Sequence, residues 1–423
     1  MIENSNIPKH WNLMKLGEVC QIIMGQSPPS TTYNSNGIGL PFYQGKAEFT
    51  ELHPIVEKWC NSPKKIAEPN DILLSVRAPV GTTNIANVKC CIGRGLAAIR
   101  YENYKYLFYF LRSIEKFLDE KGTGTTFRAI SGQTIRTTEI PLPPLPEQRA
   151  IVAKIEELLS DLENGKQQLL KAQEQLKIYR QSLLKAAFEG KLTNKNLNEG
   201  ELPKGWKWVK FGELFTGTPQ NGLYKPSSQY GSGIPILRID GFYDGTILSD
   251  YDYKRVQLTK EEIAKYLLSI DDIVVNRVNS MSHLGKCGLV KSLKESTVFE
   301  SNVMKIQINK ELASPHYLTY FLASSQGIKE LTKNAKQAVN QASINQTDVS
   351  NANVPLPLLE EQARIVSEIE SKLTVCDKIA ETITESITQA ETLRQSILKK
   401  AFEGKLVSQS SNSESVKLKP ARA

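Results

Sequence analysis

The chain carries two long motifs that each occur twice, and this internal duplication limits its possible folds more than any other feature. Residues 140–159, IPLPPLPEQRAIVAKIEELL, match residues 354–373, VPLPLLEEQARIVSEIESKL, at an offset of 214 positions. The same offset carries RQSLLKAAFEGKL, residues 180–192, onto RQSILKKAFEGKL, residues 394–406. A repeat on this scale predicts two related structural units rather than one continuous core.

The start of each unit is also repeated, but at a different offset. PKHWNLMKLGE, residues 8–18, matches PKGWKWVKFGE, residues 203–213, at an offset of 195 positions. The second variable segment is therefore 19 residues longer than the first, and within it the similarity falls to short echoes, such as DILLSVR at 71–77 beside DIVVNR at 272–277. We infer two diverged globular domains on two helical segments of equal length.

The repeated helical segments show the apolar spacing of a coiled coil. In the first segment the stripe follows Ile151, Ile155, Leu158, Leu162, Gly165, Leu169, Ala172, Leu176, Tyr179, Leu183 and Ala186. In the second it follows Ile365, Ile369, Leu373, Cys376, Ile379, Ile383, Ile387, Ala390, Leu393, Ile397 and Ala401. Packing within an ordinary helical bundle would explain one such stripe, but two equal stripes in one chain favour antiparallel pairing with each other. Gly190 and Gly404 follow the stripes as C-terminal glycine caps do.

The variable segments contain short β-branched apolar runs separated by clusters of Gly, Pro, Asn and Ser, which are typical of irregular sheet domains. The predicted fold class is α+β: two domains of mixed, sheet-containing fold, separated by two long helices that pair as an antiparallel coiled coil, with a pseudo-twofold internal repeat. The predicted boundaries are 1–139 for the first domain, 140–192 for the first helical region, 193–202 for a polar linker, 203–353 for the second domain, 354–406 for the second helical region and 407–423 for a disordered tail.

The composition suits a polyanionic partner without requiring one. Lys and Arg number 53 against 45 Asp and Glu, which gives a formal net charge of +8 and a pI of about 8.9. The six cysteines form no CxxC pair and only four histidines are present, so no zinc ligand set is visible. No apolar signal core or membrane-spanning stretch is visible either. These features predict a cytoplasmic protein with no metal site and no membrane partner.

No signature of a catalytic centre accompanies the duplication. An adenine methyltransferase would show Asn or Asp before Pro-Pro and an aromatic residue, whereas the Pro-Pro pairs at 28–29 and 143–144 follow Ser and Leu. The Gly-Lys pair at 285–286 lacks the first glycine of a phosphate loop and is followed by Cys. The charged group at 119–121 is typical of a solvated helix end rather than a metal nuclease. We therefore expect no catalytic residue and no cofactor bound by this chain.

The duplicated motifs resemble the central and distal helical regions of the DNA specificity subunits of type I restriction-modification systems, the S or HsdS-like subunits. The resemblance lies in PLPPLPEQRAIVAKIEELL with RQSLLKAAFEGKL, and in PLPLLEEQARIVSEIESKL with LRQSILKKAFEGKL. WNLMKLGE and GWKWVKFGE also resemble the starts of that family's target recognition domains. The similarity covers nearly the whole chain, with its distinctive motifs in the helices and the domain starts.

The resemblance implies a non-catalytic, DNA-binding subunit of a methyltransferase and endonuclease complex. In the family, each target recognition domain reads one half of a split site in double-stranded DNA, and the paired helices set the spacer and dock two modification subunits. S-adenosylmethionine, ATP and Mg²⁺ are expected on the modification and restriction subunits rather than on this chain.

Three alternatives remain open from the sequence. A specificity subunit of a type IIB restriction-modification enzyme would have similar modules. A non-catalytic coiled-coil tether would not need two diverged domains with polar loops. An enzyme with an unrecognised site would need titratable groups clustered in a pocket, for which four scattered histidines are poor support.

Candidate DNA-reading residues lie in the polar loops of both domains, because base readout favours Arg and Lys on guanine and Asn and Gln on adenine. The candidates are Lys46, Arg77, Arg94, Thr126 and Arg128 in the first domain, and Arg238, Arg277, Asn279, His283, Lys286, Asn340 and Gln341 in the second. Each has a structural alternative. Arg77 and Arg277 follow apolar runs and could instead cap strand ends or pair with a carboxylate, and Lys286 could be a solvated loop charge.

Overall fold

The computed structural model of the chain describes residues 7–124, 128–194, 202–248, 252–339 and 341–407. The chain divides into two compact units, of which unit 1 comprises residues 1–169 with 384–423 and unit 2 comprises residues 170–383. The boundaries predicted from the sequence stay predictions, and most of the predicted linker and tail lies outside the described residues. No helix within the described ranges is long and apolar enough to cross a bilayer.

Unit 1 is built from short strands and helices that precede a long helix. Its strands are β1 Asn12–Lys15, β2 Gln21–Met24, β3 Tyr33–Asn34, β4 Leu40–Tyr43, β5 Trp59–Cys60, β6 Ile66–Ala67, β7 Ile72–Ser75, β8 Thr83–Ile85, β9 Cys90–Ile92, β10 Leu96–Arg100 and β11 Glu139–Leu142. Its helices are α1 Leu16–Val19, α2 Tyr104–Ser113, α3 Glu115–Glu120, α4 Gly132–Thr137, the first part of α5 Leu145–Phe188 and the last part of α10 Leu359–Phe402.

Two sheets and a helix enclose the core of unit 1. One sheet has the antiparallel order β2-β10-β7-β8, and the other has the order β3-β5-β4-β9-β6 with β4 and β9 parallel. Successive side chains of a strand point to opposite faces, so Ile72 and Leu74 pack in the cluster that contains α2. Leu73 packs instead with Tyr43 and Ile92 of the second sheet. An uninterrupted apolar run is therefore required at β7, because both of its faces are covered.

Unit 2 repeats this plan with additional elements. Its strands are β12 Lys207–Lys210, β13 Gln220–Asn221, β14 Tyr230–Leu237, β15 Phe242–Tyr243, β16 Gly245–Ile247, β17 Arg255–Val256, β18 Ile273–Asn276, β19 Val278–Asn279, β20 Cys287–Leu289, β21 Val298–Phe299, β22 Val303–Ile306, β23 Lys336–Ala338, β24 Gln341–Ser343 and β25 Asn353–Leu356. Its helices are the last part of α5, then α6 Lys260–Tyr266, α7 Pro315–Ala323, α8 Ser325–Thr332, α9 Gln346–Ser350 and the first part of α10 Leu359–Phe402.

The buried strand of unit 2 separates two clusters as β7 does in unit 1. The main sheet has the order β13-β22-β18-β20-β16-β15, and smaller sheets have the orders β17-β14-β21 and β19-β24-β23. Ile273 and Val275 pack in the cluster that contains α7. Val274 packs with Leu237 and Phe299 on the opposite face. The α+β prediction, with two related sheet domains, is confirmed.

A turn before the buried strand is preserved in both units. Asn70 and Asp271 adopt left-handed backbone with φ of 72° and 71°. The next residue, Asp71 or Asp272, accepts a 2.8 Å hydrogen bond from the backbone N–H three residues earlier. The Asp71 or Asp272 carboxylate thus fixes the turn that leads into the buried strand. This shared role explains why the Asp-Ile pair is retained in two segments that otherwise differ in sequence.

The two long helices contain 44 residues each, and each would be about 66 Å long as a straight α-helix. Gly190 and Gly404 follow their ends with φ of 75° and 68°. Left-handed backbone at this position costs least for glycine. The predictions of equal helices and of glycine caps are therefore confirmed.

In each unit the start of one long helix and the end of the other meet the same core. In unit 1, Ile151 of α5 and Phe402 of α10 share a cluster, and the Phe402 ring lies 5.2 Å from that of Tyr106. In unit 2, Ile365 of α10 and Phe188 of α5 share a cluster, and the Phe188 ring lies 5.3 Å from that of Tyr317. Because one helix leaves each core where the other arrives, they run in opposite directions, which confirms the antiparallel prediction.

The buried stripe of each helix departs from the predicted seam at two repeat-related pairs of positions. Gly165 and Tyr179 of α5 are exposed, as are their equivalents Ile379 and Leu393 of α10. The following residue is half-buried in every case, at Lys166, Arg180, Ala380 and Arg394. A nearly straight helix turns every 3.6 residues, so a strict 3.5-residue pattern drifts off its buried face. The seam prediction was wrong at these positions for that reason.

Charged pairs replace apolar contacts where the seam shifts. Within unit 1, Lys166 of α5 pairs with Glu391 of α10. Within unit 2, Arg180 of α5 donates to Asp377 of α10 at 2.6 Å. The long side chains of Lys and Arg can cover apolar surface with their stems while their charged ends reach water. These pairs therefore suit positions that are only half-buried.

Candidate nucleic-acid interface

Backbone hydrogen bonds join four loops along one edge of the first domain. The Gly95 N–H donates to Gln44 O at 3.1 Å, and the Val76 N–H donates to Gly95 O at 2.9 Å. The Ile130 N–H then donates to Val76 O at 3.0 Å. We call this series the loop ladder of the first domain. It fixes the ends of β4 and β7, the β9–β10 turn and the segment before α4 beside one another.

Four candidate cations of the first domain lie in the loops that these hydrogen bonds join. Lys46, Arg77 and Arg94 are exposed, and no described residue forms an ion pair or hydrogen bond with their side chains. Arg128 is also exposed, and its Nη1 donates to Asp119 at 3.1 Å. An ion pair at such exposure contributes little to stability, so Arg128 remains able to exchange partners. The fifth candidate, Thr126, lies outside the described residues.

The second domain has an equivalent loop ladder. The Glu300 N–H donates to Leu237 O at 3.0 Å, as the Gly93 N–H donates to Tyr43 O at 2.8 Å in the first domain. The next two steps of the second ladder run from the Arg277 N–H to Asn302 O at 2.9 Å and from the Ile344 N–H to Arg277 O at 3.0 Å. The same four connections are thus brought to the same edge in both domains.

The ladders agree with the ungapped alignment of the sequence echo. When DILLSVR and DIVVNR are aligned from their shared Asp-Ile, Arg277 falls opposite Val76 rather than Arg77, and the hydrogen bonds also place Arg277 at the position of Val76. Arg277 is half-buried, its Nη1 donates to Ser301 O at 3.0 Å, and its Nε is buried without a partner among the described residues. This geometry favours a structural role for much of the Arg277 guanidinium.

Two further candidates of the second domain are held by neighbours. Arg238 is half-buried and donates from Nε to Glu300 at 3.1 Å, while the other oxygen of Glu300 accepts the Ile239 N–H at 3.1 Å. Lys286 lies 4.7 Å from the ring centroid of Tyr243, a cation–π distance. Because of this contact, Lys286 is not the freely solvated loop charge that the sequence left as an alternative.

The remaining candidates surround the small β19-β24-β23 sheet. Asn279 is half-buried opposite Ala342 and accepts the Ser280 N–H at 2.7 Å. His283 is exposed, and its Nδ1 lies 3.0 Å from the Ser280 hydroxyl oxygen. Gln341 is exposed on β24. The candidate Asn340 lies outside the described residues.

A close approach of the chain to the ladder requires glycine in both domains. A Cβ at Gly25 would lie 2.1 Å from Gly93 O, and one at Gly222 would lie 2.2 Å from Glu300 O. Such contacts do not occur between real atoms, so any side chain here would displace the ladder. The loops after these glycines consequently lie against the candidate edge.

The family of the chain follows from this duplicated architecture and its sequence. The family model described as "Type I restriction modification DNA specificity domain" matches residues 8–172 and again residues 203–389. The chain belongs to this specificity family. Each match contains one loop ladder and the beginning of one long helix, so the two copies of the specificity domain correspond to the two repeats.

Named relatives of the specificity family agree with this assignment. The chain is 29% identical over 377 residues to the type I restriction enzyme StySPI specificity subunit of Salmonella potsdam, covering 86% of this chain and 81% of that protein. It is 43% identical over 183 residues to the putative type I restriction enzyme MjaX specificity subunit of Methanocaldococcus jannaschii, but this match spans only 41% of the chain and 43% of the relative. The predicted function class, a type I DNA specificity subunit, is confirmed.

A solved specificity subunit shares the fold. The HsdS subunit from Thermoanaerobacter tengcongensis matches with a TM-score of 0.56 at 23% identity, over 94% of this chain and 98% of that one. A chain from a structure of type I R-M complex assembly and conformational transition matches with a TM-score of 0.71, also at 23% identity, over 94% of this chain and 99% of that one. At this identity the likeness shows the fold.

The sequence search missed the loops that follow the two glycines of this specificity protein. Ser27 accepts the Arg94 N–H at 3.1 Å, and Tyr224 is 80% exposed. A shared G-x-x-x-P-S pattern, at 25–30 and 222–227, marks both loops and could have identified them.

Burial raises the pKa of the nearby Tyr33 phenol above its usual value, although Ser27 and Arg94 oppose the shift. The Tyr33 side chain is therefore neutral at physiological pH.

The described residues contain no group of three or more His, Cys, Asp or Glu side chains that could hold a metal ion. Instead, the feature common to both domains is a set of exposed polar and basic loops on a hydrogen-bonded base. Such a surface can contact phosphates through its cations and base edges through its amides and guanidinium groups.

Proposed function

We propose that each domain reads one half of a bipartite target in double-stranded DNA, through the loops of its ladder. The observation that supports this proposal is the equivalence of the two ladders beneath loops of different sequence. Reading two unlike half-sites requires the same hydrogen-bonded backbone in both domains and different exposed side chains on it. Phosphate contacts can then be retained while the contacts to DNA bases change.

The first domain offers the more open set of cations for this task. Lys46, Arg77 and Arg94 have no side-chain partner among the described residues, whereas Arg238 and Arg277 are partly held by neighbours. We propose that Arg77 and Arg94 contact DNA directly. The second domain would rely more on Gln341 and the small sheet that carries it.

We further propose that the chain has no catalytic centre and acts in the cytoplasm with partner subunits. Two modification subunits would supply S-adenosylmethionine and adenine methylation, and restriction subunits would supply ATP- and Mg²⁺-dependent cleavage. The family assignment supports these partners. The exposed loops provide surfaces for DNA, and the chemistry would take place on the other subunits.

The long helices are the proposed docking surface for the modification subunits. Within unit 2 they expose large apolar side chains, including Ile178 at 66%, Tyr179 at 49%, Val375 at 56% and Ile379 at 45%. Single exposed apolar residues are ordinary, but several on one pair of helices favour contact with another protein. We propose that the same helices set the spacer between the half-sites.

Exchange of one domain tests the modular reading. Residues 203–353 are replaced by the corresponding segment of another type I specificity subunit, and the methylated motif is determined by sequencing DNA from cells that express the hybrid with its modification subunit. One half-site should change while the other half and the spacer stay the same. A simultaneous change of both half-sites would contradict independent reading by the two domains.

A further inference from the structure

A β-hairpin projects from the ladder of the second domain. β23 and β24 pair antiparallel with Ala338 opposite Gln341, and Val339 follows directly after β23. Lys336, Gln337 and Ala338 are exposed, and Val339 at the turn is 92% exposed. This side chain therefore contributes almost nothing to the core of the isolated protein.

The base of the hairpin is fixed to the domain. Ala342 and Ile344 are 3% and 1% exposed, and the Ile344 N–H donates to Arg277 O at 3.0 Å. β19 also pairs with β24, at Ala342 and Ser343, but this pairing does not extend to Gln341. The tip is consequently two strands wide, and its base is the three-stranded β19-β24-β23 sheet.

The dimensions of the tip match the major groove of B-form DNA. That groove is about 12 Å wide and about 8.5 Å deep and accepts a two-stranded β-ribbon. Strands of three residues extend about 10 Å, and paired strands lie about 4.8 Å apart. A hairpin of this length can reach from the rim of the groove to the base edges.

The side chains of the hairpin suit the groove chemically. The segment 336–343, KQAVNQAS, contains one cation and no carboxylate. Lys336 can contact a phosphate, and the amides of Gln337 and Gln341 can pair with adenine. Val339 offers only methyl groups. The one apolar group that a standard base pair presents in the major groove is the C5 methyl of thymine.

We propose that the hairpin formed by β23 and β24 enters the major groove of the half-site read by the second domain, with Val339 against the C5 methyl group of a thymine. This inference rests on the proposed DNA-reading function. The proposed contact makes Val339, an apolar residue that forms no side-chain hydrogen bond, a determinant of specificity. It also predicts that the base pair in contact with Val339 is A·T.

The test removes the two partners of this contact separately and together. The full chain with its modification subunit is measured on DNA that carries its methylated motif, with each thymine of the second half-site replaced in turn by deoxyuridine, which lacks only the methyl group. At one position the wild-type complex should lose about fourfold in affinity, the factor expected for one buried methyl group. Val339→Ala should weaken binding to thymine DNA similarly, with no further loss on deoxyuridine.

Val88→Ala is the matched control. Val88 is 40% exposed in the first domain and is not part of the hairpin, and its truncation should leave the response to every deoxyuridine unchanged. Equal deoxyuridine losses in the wild type and Val339→Ala, no loss at any position, or a half-site without an A·T pair would overturn the hairpin contact while sequence-specific binding persisted. A complex that bound scrambled DNA as well as its motif would overturn the proposed function, and this contact with it.

Discussion

Arg77 and Arg277 place the same side chain in different surroundings. Arg77 is exposed and unpaired among the described residues, whereas Arg277 is half-buried and bonded to Ser301 O. We expect Arg77→Ala to weaken binding of the assembled complex to its target by about 1 to 3 kcal/mol without changing protein stability. Arg277→Ala should instead lower the free energy of unfolding by about 1 to 3 kcal/mol. DNA titration and urea unfolding measure the two effects.

Lys116→Ala provides the control for these substitutions, because Lys116 is an exposed cation on α3 outside the ladder. It should affect both measurements less than the ladder variants do. An equal loss of affinity for every DNA sequence would assign Arg77 to a phosphate rather than a base. A folded Arg277→Ala protein of unchanged stability, with relaxed specificity at one base, would return Arg277 to the role predicted from the sequence.

The buried Asp272 should make the stability of the second domain depend on pH. Burial raises the pKa of this carboxyl, although hydrogen bonds from the Ser269 N–H and the Gln307 amide oppose the shift. A raised folded-state pKa favours the protonated form, so its contribution to stability is present at low pH and is lost as pH rises through the folded-state pKa. The wild type should therefore lose stability relative to Asp272→Asn between the ordinary carboxyl pKa of about 3.9 and neutrality. Urea unfolding of both proteins across that range checks the sign, and a relative gain by the wild type would contradict it.

At the residue scale, three of the cations proposed from the sequence are exposed, and their role in reading DNA stays a prediction. These are Lys46, Arg77 and Arg94. The pairing of Arg238 with Glu300 and the hydrogen bond from Arg277 to Ser301 O join segments far apart in the chain. The local similarity of DILLSVR to DIVVNR places Arg277 opposite Val76 but carries no information about these side-chain partners.

At the element scale, the long helices allow a direct test of the spacer proposal. One heptad is inserted into both, between Leu169 and Leu176 and between Ile383 and Ala390, which preserves the apolar phase and lengthens each helix by about 10 Å. The spacer of the methylated motif should grow by up to roughly three base pairs, at 3.4 Å per pair. The bases of both half-sites should stay the same, because no reading loop is altered.

An insertion into α5 alone is the matched control for this experiment. It should disrupt the pairing of α5 with α10, including the ion pairs Lys166 with Glu391 and Arg180 with Asp377. Binding of the modification subunit to the doubly extended protein is confirmed first. If that complex then methylated a motif with the original spacer, the helices would not determine it.

The helices also show where a sequence pattern stops being sufficient. Apolar spacing and terminal glycines predicted both helices and their antiparallel pairing, because these depend on local conformation and on an unpartnered stripe. The choice between Tyr179 and Arg180 as the inward position depends on the accumulated twist of the helix. The alternating spacing of four and three residues, from which the seam was predicted, does not account for this twist.

At the scale of the whole molecule, duplication and the lack of catalytic motifs lead to the same expectation. Residues 8–172 and 203–389 both match the specificity domain. Under the proposed function, a chain with two such domains selects the site and depends on other subunits for every chemical step. The expected activity then belongs to the assembly.

We expect the purified chain alone to neither methylate nor cleave DNA when it is supplied with S-adenosylmethionine, ATP and Mg²⁺. Addition of the modification subunit should produce adenine methylation at one bipartite motif, and Arg77→Ala should alter which sites are methylated without preventing assembly, because the Arg77 side chain has no partner among the described residues. Mass spectrometry of the DNA detects methylation and gel analysis detects cleavage. Product that co-purified with the chain and persisted after the modification and restriction genes were deleted from the expression host would show a catalytic centre in the chain itself. A modification subunit that methylated the same motif without this chain would instead move sequence selection to the partner.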